Sequence, residues 1–280
     1  MASLKQREET KMSAETGSAP ARSAKEQFDR QAAQYDRQWN TWSEETLGWL
    51  LENADLRPTD FVLDVATGTG FTALAFAPHV ETVIGLDVSS GMLAQARKQA
   101  GERRIANAVF QEGAAEALPF ADRTFDIVTC RIAPHHFLDT QKFLAELARV
   151  LKPGGRLMLV DTTVPDDSPE AAQWQNEVEA VRDPSHVRNH TPGEWRAMTE
   201  AAGLTVSVCG SGGGGITIPL SDWIVKAGCT QEQAAKVRQC FADAPQGART
   251  AFQIETSPDG ETVFTWQRVT LKAVKRSQEG

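Results

Sequence analysis

Long apolar runs are missing from this 280-residue chain: none approaches the ~18 to 20 residues that span a bilayer. The polar N-terminal stretch also lacks the apolar core of a secretory signal. A membrane span and export are therefore not expected, and a cytoplasmic protein is. A surplus of basic residues is missing too. The formal net charge of -8 repels phosphate backbones and leaves no electrostatic footprint for nucleic acid. Cysteine is sparse, and Cys130, Cys209, Cys229 and Cys240 form no CxxC pair. That scatter argues against a zinc knuckle and a disulfide framework, so reduced thiols and no metal centre are expected. No internal repeat breaks the chain into modules.

What is present is the balance of an ordinary globular protein, with 41% hydrophobic and 24% charged residues. Residues 1–24 carry no apolar period and read as a mobile tail. Phe28, Ala32, Tyr35 and Trp39 then fall at helical spacing, and an apolar stripe continues to Leu51, which predicts two helices ahead of a sheet. From residue 58 the rhythm is strand, loop, helix: Phe61 to Ala66, Thr82 to Asp87, Ala108 to Gln111, Phe125 to Arg131 and Arg156 to Asp161 read as strands. Helices follow the first two, and Thr140 to Leu151 forms another, stopped by Pro153-Gly154-Gly155. Alternation of this kind predicts an α/β fold with a mostly parallel sheet covered on both faces. Beyond Asp161, helices are predicted over Ser168 to Arg182, Thr191 to Ala202, Ser221 to Ala227 and Gln231 to Phe241, with a strand at Leu204 to Cys209. Gly210 to Gly215 reads as a hinge or a surface loop. Ala251 to Glu255 and Thr262 to Lys272 read as a closing hairpin about Asp259-Gly260. Three parts are thus expected: lid helices over 25–57, a cofactor-binding core over 58–165, and a substrate cap with final strands over 166–280.

The first strand ends in Asp64-x-Ala66-x-Gly68-x-Gly70, small residues where backbone approaches a ligand and helix amides face a crevice. Asp87 ends the next strand, placed to accept hydrogen bonds from both hydroxyls of a ribose. Gly68-Thr69-Gly70-Phe71-Thr72-Ala73 alone also satisfies the dinucleotide pattern, so an NAD-dependent oxidoreductase remains an alternative. Asp64 weighs against it, because a carboxylate there suits the glycine loop or a cationic amino group and offers nothing to a pyrophosphate.

Together Phe61 to Gly70 (FVLDVATGTG), Gly85 to Leu93 (GLDVSSGML), Glu116 to Phe120 (EALPF), Phe125 to Phe137 (FDIVTCRIAPHHF) and Val150 to Gly155 (VLKPGG) resemble the class I S-adenosylmethionine-dependent methyltransferases. Within them the match is to the ubiquinone/menaquinone-methyltransferase-like group called methyltransferase type 11. The resemblance implies a Rossmann-like seven-stranded sheet whose last strand is antiparallel, under a helical lid and cap, with S-adenosylmethionine as cofactor and S-adenosylhomocysteine as product. It also implies that Ala66, Thr67 and Gly68 pass the methionine and ribose, that Asp87 holds the ribose, and that Val88 and Met92 enclose the adenine. Ala114 and Ala115 would line the adenine edge, Arg131 the methionine end, and Tyr35 the lid. Ala114 departs from the acidic residue usual there, a loss of about 1 to 3 kcal/mol unless Glu116 or a backbone group replaces it.

Methyl transfer is an in-line displacement, so positioning in a dry pocket is the main requirement and a general base is needed only for a protonated nucleophile. His135 and His136, at the carboxyl end of the fourth strand, and His186 are the candidate bases, with His190 a further one from the cap; a capping or packing role is the alternative. Seven tryptophans, most of them in the expected lid and cap, suggest a hydrophobic or aromatic acceptor. The expectation is a methyltransferase acting on an O, C or N atom of a small molecule. A cofactor-binding regulator or scaffold without methylation is the non-enzymatic alternative, and a homodimer stays open.

Overall fold

The computed structural model describes residues 24–31, 35–211 and 217–277. Its main sheet has seven strands: β1 (Phe61–Val65), β2 (Thr82–Asp87), β3 (Ala108–Glu112), β4 (Phe125–Arg131), β5 (Leu151–Thr163), β6 (Leu204–Ser211) and β10 (Gln267–Lys275). Their order is β3-β2-β1-β4-β5-β10-β6, and β10 runs antiparallel to both neighbours while the other pairs are parallel. The order reverses at β1 and β4, which leaves a crevice beyond the carboxyl ends of these two strands. A seven-stranded, mostly parallel sheet was the expectation, and this is what the chain forms.

Alternation along each strand divides the apolar residues between two layers. Leu63, Val65, Val128, Cys130, Leu157 and Leu159 face one side, against Phe143, Leu144 and Leu147 of α5 (Thr140–Val150) and Trp195 of α7 (Pro192–Ala201). Val62, Val83, Ile127, Met158 and Val160 face the other. They pack on Leu50 of α2 (Tyr35–Asn53), Phe76 of α3 (Phe71–Phe76) and Leu93 and Ala96 of α4 (Ser90–Glu102). α1 (Ala24–Gln31) precedes α2, as the two-helix reading required.

The distal part departs more from expectation. The predicted final strand, Thr262 to Lys272, is broken at Trp266 into β9 (Thr262–Thr265) and β10. β9 belongs to a separate three-stranded sheet, between β7 (Thr217–Pro219) and β8 (Glu255–Thr256). The break has a cause in packing. The Trp266 indole is buried among Phe252, Phe264 and Trp223, and its Nε1–H donates to Glu179 Oε1 at 2.8 Å. Ala251 to Glu255, read as strand, instead ends a helix missed in the sequence, α10 (Gln246–Ala251), and only Glu255 and Thr256 pair. β5 also starts five residues early, at Leu151, and takes in Pro153-Gly154-Gly155 with a register shift against β4. α6 (Pro169–Arg182), α8 (Leu220–Lys226) and α9 (Gln231–Ala242) match their predicted positions to within a residue or so.

α6, α8, α9 and α10 enclose an aromatic core of their own, built on Trp174, Trp223, Phe241, Phe252, Phe264 and Trp266. Residues 1–23, most of the expected tail, and Gly212 to Gly215 of the glycine-rich stretch lie outside the described residues. Among the described residues no helix is long and apolar enough to cross a membrane.

Candidate cofactor and acceptor site

After β1 the chain turns through two left-handed positions, Ala66 (φ 54°) and Gly68 (φ 55°), before Gly70 starts α3. A Cβ on Gly68 would meet nothing within 4 Å, so the loop borders open space, whereas one on Gly85 would lie 2.7 Å from the Phe110 ring and 2.9 Å from Thr67 Cγ2. Gly85 thus permits the close approach of the glycine loop to β2. Beside this loop is a cavity of about 360 Å³.

Asp87 forms its acidic wall. One carboxylate oxygen accepts from Gly68 N at 2.8 Å and the other from Ser89 N at 2.9 Å. Each oxygen keeps a further lone pair, so the group is oriented by backbone and still has room for two hydroxyl donors. Burial pushes the Asp87 carboxyl up, against the pull of those backbone N–H groups. Leu86, Val88, Met92 and Ala115 add apolar walls, and Arg131 and Thr72 lie at the other end. The Arg131 Nε–H donates to Thr72 Oγ1 at 3.0 Å, and its guanidinium lies 5.3 Å from the Phe71 ring centroid.

Of the residues singled out in the sequence, Ala66, Thr67, Gly68, Asp87, Val88, Met92, Ala115, Arg131 and His136 line this cavity together. Others do not. Asp64 is buried and accepts from the hydroxyls of Thr67 and Thr129, each at 2.6 Å. It braces the glycine loop and presents nothing to the cavity. Ala114 points outward and is exposed, because it alternates with the inward Ala115; Gly113 and Glu116 complete that edge. The carboxylate that does border the cavity is Glu116, two positions later, and it accepts from Leu138 N at 3.2 Å. Tyr35 opens α2, but its side chain lies outside the described residues.

Within the expected lid, Thr46 of α2 accepts from Arg131 at 3.4 Å, and α1 makes further contacts that the sequence reading missed. Lys25 Nζ donates to Val88 O at 2.9 Å and to Glu112 Oε1 at 2.8 Å. Asp29 accepts from Ser89 Oγ and from Gly91 N, capping α4 from outside. Between them Phe28 enters the cavity and meets the His136 ring edge-on, with centroids 5.1 Å apart. Helical spacing had marked Phe28 as apolar; nothing local shows that it faces a ligand rather than a core.

The three candidate histidines cluster, but only His136 reaches the cavity. The His136 Nδ1–H donates to Ser185 O at 3.0 Å and toward Ser185 Oγ at 3.1 Å, while that hydroxyl donates to Asp183 at 2.7 Å. This tautomer leaves the lone pair on Nε2. Burial, then the neighbouring His135, push His136 down to about 3. His135 instead hydrogen-bonds Asp161 Oδ1 through Nδ1 at 2.7 Å. Burial opposes its charge, yet the Asp161 carboxylate outweighs burial and holds the ring above the ordinary histidine value. His186 is buried, its Nε2–H donating to Asn176 Oδ1 at 3.1 Å, and burial pushes it down to about 2. His190 sits over Trp195 beside Glu194, away from the cavity lining.

The tryptophans are also reassigned. Trp174, Trp223 and Trp266 belong to the distal aromatic core, Trp195 to the main core, and Trp49 packs behind the sheet. None of these lines the cavity; its aromatic wall is Phe28, Phe71 and Phe137.

An open α/β sheet with a glycine loop, an acidic residue ending β2 and an antiparallel seventh strand defines a Rossmann-like methyltransferase fold. A family model described as a methyltransferase domain matches residues 63–159. The chain is 37% identical over 233 residues to the uncharacterized methyltransferase YcgJ of Bacillus subtilis (strain 168), covering 83% of this chain and 91% of that one. A demethylmenaquinone methyltransferase of Symbiobacterium thermophilum is 37% identical over 158 residues, 50% of this chain and 59% of the relative. Among solved structures, YcgJ superposes with a TM-score of 0.77 over 83% of this chain and 98% of its own, at 36% identity. A putative methyltransferase from Bacillus halodurans gives 0.78 over 82% and 99%, at 34% identity. The chain belongs to this methyltransferase family, whose cofactor is S-adenosylmethionine. The nicotinamide alternative gives way to it.

Proposed function

We propose that the chain methylates a small molecule with an apolar body, held between Phe28, Phe137, Leu138 and Val187 at the open end of the cavity. The observation that carries this reading is the single cavity wall shared by Asp87, Met92 and Ala115 at one end and by His136 and Phe137 at the other. One end suits a nucleoside and the other an acceptor. Asp87 would hold the ribose hydroxyls, Val88 and Met92 the adenine, and Arg131 the methionine end. When bound, the cofactor supplies an electrophilic methyl group on a sulfonium.

The protein's own contribution is placement and proton removal. Phe28 and Phe137 exclude water, and dry surroundings with fixed orientation supply most of the acceleration such a displacement needs. His136 stays neutral at pH 7 and offers Nε2 as an acceptor for an O–H or N–H of the substrate. A group titrating near 3 does not deprotonate an alcohol beforehand. It is basic enough to take the proton late, when the acceptor heteroatom has formed its new bond and become strongly acidic. Ser185 and Asp183 hold the tautomer, and His135, fixed by Asp161, packs against the ring from behind.

Incubation with S-adenosylmethionine labelled in its methyl group and a panel of apolar hydroxyl- and amine-bearing metabolites tests this. Label is expected in at least one product, with His136→Asn slowing transfer about 10²-fold or more. No labelled product from any acceptor would favour a cofactor-binding regulator, and full activity in His136→Asn would reduce catalysis to positioning.

A further inference from the structure

Arg268 has no hydrogen-bond or ion-pair partner among the described residues. It lies near the start of β10, directly across from Thr162 at the carboxyl end of β5. Val160, two residues earlier on β5, is the cross-strand partner of Arg131, so Arg268 and Arg131 share one face of the sheet. The Arg268 side chain is half-buried. Burial opposes its charge, the exposed Glu45 of α2 favours it, and Arg131 opposes it again. Arg131 donates to the hydroxyls of Thr72 and Thr46. The two guanidinium groups thus lie on one face beyond the strand ends, and among the described residues no hydrogen-bonded carboxylate neutralises Arg268.

A half-buried guanidinium with no hydrogen-bonded protein partner keeps its N–H donors open to a ligand. The position says which ligand. The glycine loop follows β1, and β10 lies three strands further on, about 14 Å away at the usual strand spacing. The adenine and ribose walls, Asp87, Met92 and Ala115, lie on the opposite side of β1. Arg268 is thus away from the adenine and ribose walls and next to Arg131, which lines the cavity, though Arg268 is not itself in that lining.

We propose that Arg268, next to the Arg131 that holds the cofactor's methionine end, forms an anion-recognition subsite and that the methyl acceptor carries a carboxylate or similar oxyanion on its apolar body. This rests on the methyltransferase reading of the cavity. An arginine fork binds a carboxylate by two parallel N–H···O bonds, which fixes the acceptor's orientation as well as its place.

The test uses the full chain loaded with S-adenosylhomocysteine and titrated calorimetrically with benzoate and with benzamide, alike in shape and different in charge. Benzoate is expected to bind at least tenfold more tightly. Arg268→Gln should abolish that preference, Arg268→Lys should retain most of it, and neither should change the affinity for S-adenosylhomocysteine. Equal binding of the two probes by the unaltered protein overturns the proposal. Loss of S-adenosylhomocysteine affinity in Arg268→Gln also overturns it, by assigning the guanidinium to the cofactor's own carboxylate. Failure of the unaltered chain to bind S-adenosylhomocysteine at all would instead sink the parent reading, and this subsite with it.

Discussion

The two ends of the cavity are built differently. At the cofactor end the contacts are mostly backbone, close in sequence, and set by strand ends: Gly68 N and Ser89 N on Asp87, and a tight approach at Gly85. At the acceptor end the contacts are side chains from remote segments: Phe28 on His136, Ser185 and Asp183 behind that ring, Asp161 on His135. A backbone-built site can be maintained by a short motif. A side-chain-built site depends on how helices pack, and so is free to change with the acceptor.

That contrast can be broken deliberately. The largest effect is expected from Trp266→Ala, which empties the centre of the distal aromatic core and strips Glu179 of its indole donor. A loss of about 3 to 5 kcal/mol is expected, read by urea denaturation, and a change below about 1 kcal/mol would show that the distal core is not a stability element. Next is Asp87→Ala, expected to weaken S-adenosylmethionine binding more than tenfold, about 1.4 kcal/mol or more. Calorimetry giving an unchanged Kd would remove Asp87 from the cofactor end.

Acid sharpens the acceptor side. His136 and His186 titrate lower in the folded chain than the ordinary value of about 6.5. The unfolded chain therefore binds more protons, and stability falls as pH drops below about 6.5 toward their folded values. The His135 pair with Asp161 works in the opposite sense: its contribution is full below about 6.5 and is lost as pH rises through the raised folded value. Removing one of the lowered histidines isolates their share, so His186→Gln should lessen the fall in urea midpoint from pH 7 to pH 5 relative to the unaltered chain. A steeper slope in the variant would contradict the assignment. The smallest effect belongs to Asp29→Ala on the exposed lid helix, expected to weaken cofactor affinity by about fivefold or less, about 1 kcal/mol. A greater loss would mean that α1 closes the site rather than merely bordering it.

Most of the sheet, and the grouping of the glycine loop with Asp87, were legible before any coordinates, because they follow from local rules. Buried parallel strands read as short apolar runs, Ser89 and Thr191 sit where helix caps must, and a glycine loop after β1 faces the switch point of the strand order. Asp64 shows the limit even there. Its position in the strand was plain, but whether it faced a ligand or two threonine hydroxyls depended on Thr129, 65 residues away.

What the sequence determined by itself is therefore the order of strands and helices, the glycine loop and the carboxylate that closes β2, all governed by periodicity and backbone conformation over a few residues. Tertiary structure alone decided that Trp174, Trp223 and Trp266 pack a separate core, that Trp266 splits the last predicted strand, that His136 and not His135 or His186 meets the cavity, and that Arg268 has no hydrogen-bond or ion-pair partner among the described residues. Each of those outcomes turns on contacts between segments tens of residues apart, and the sequence near any one of them does not encode which partner will arrive.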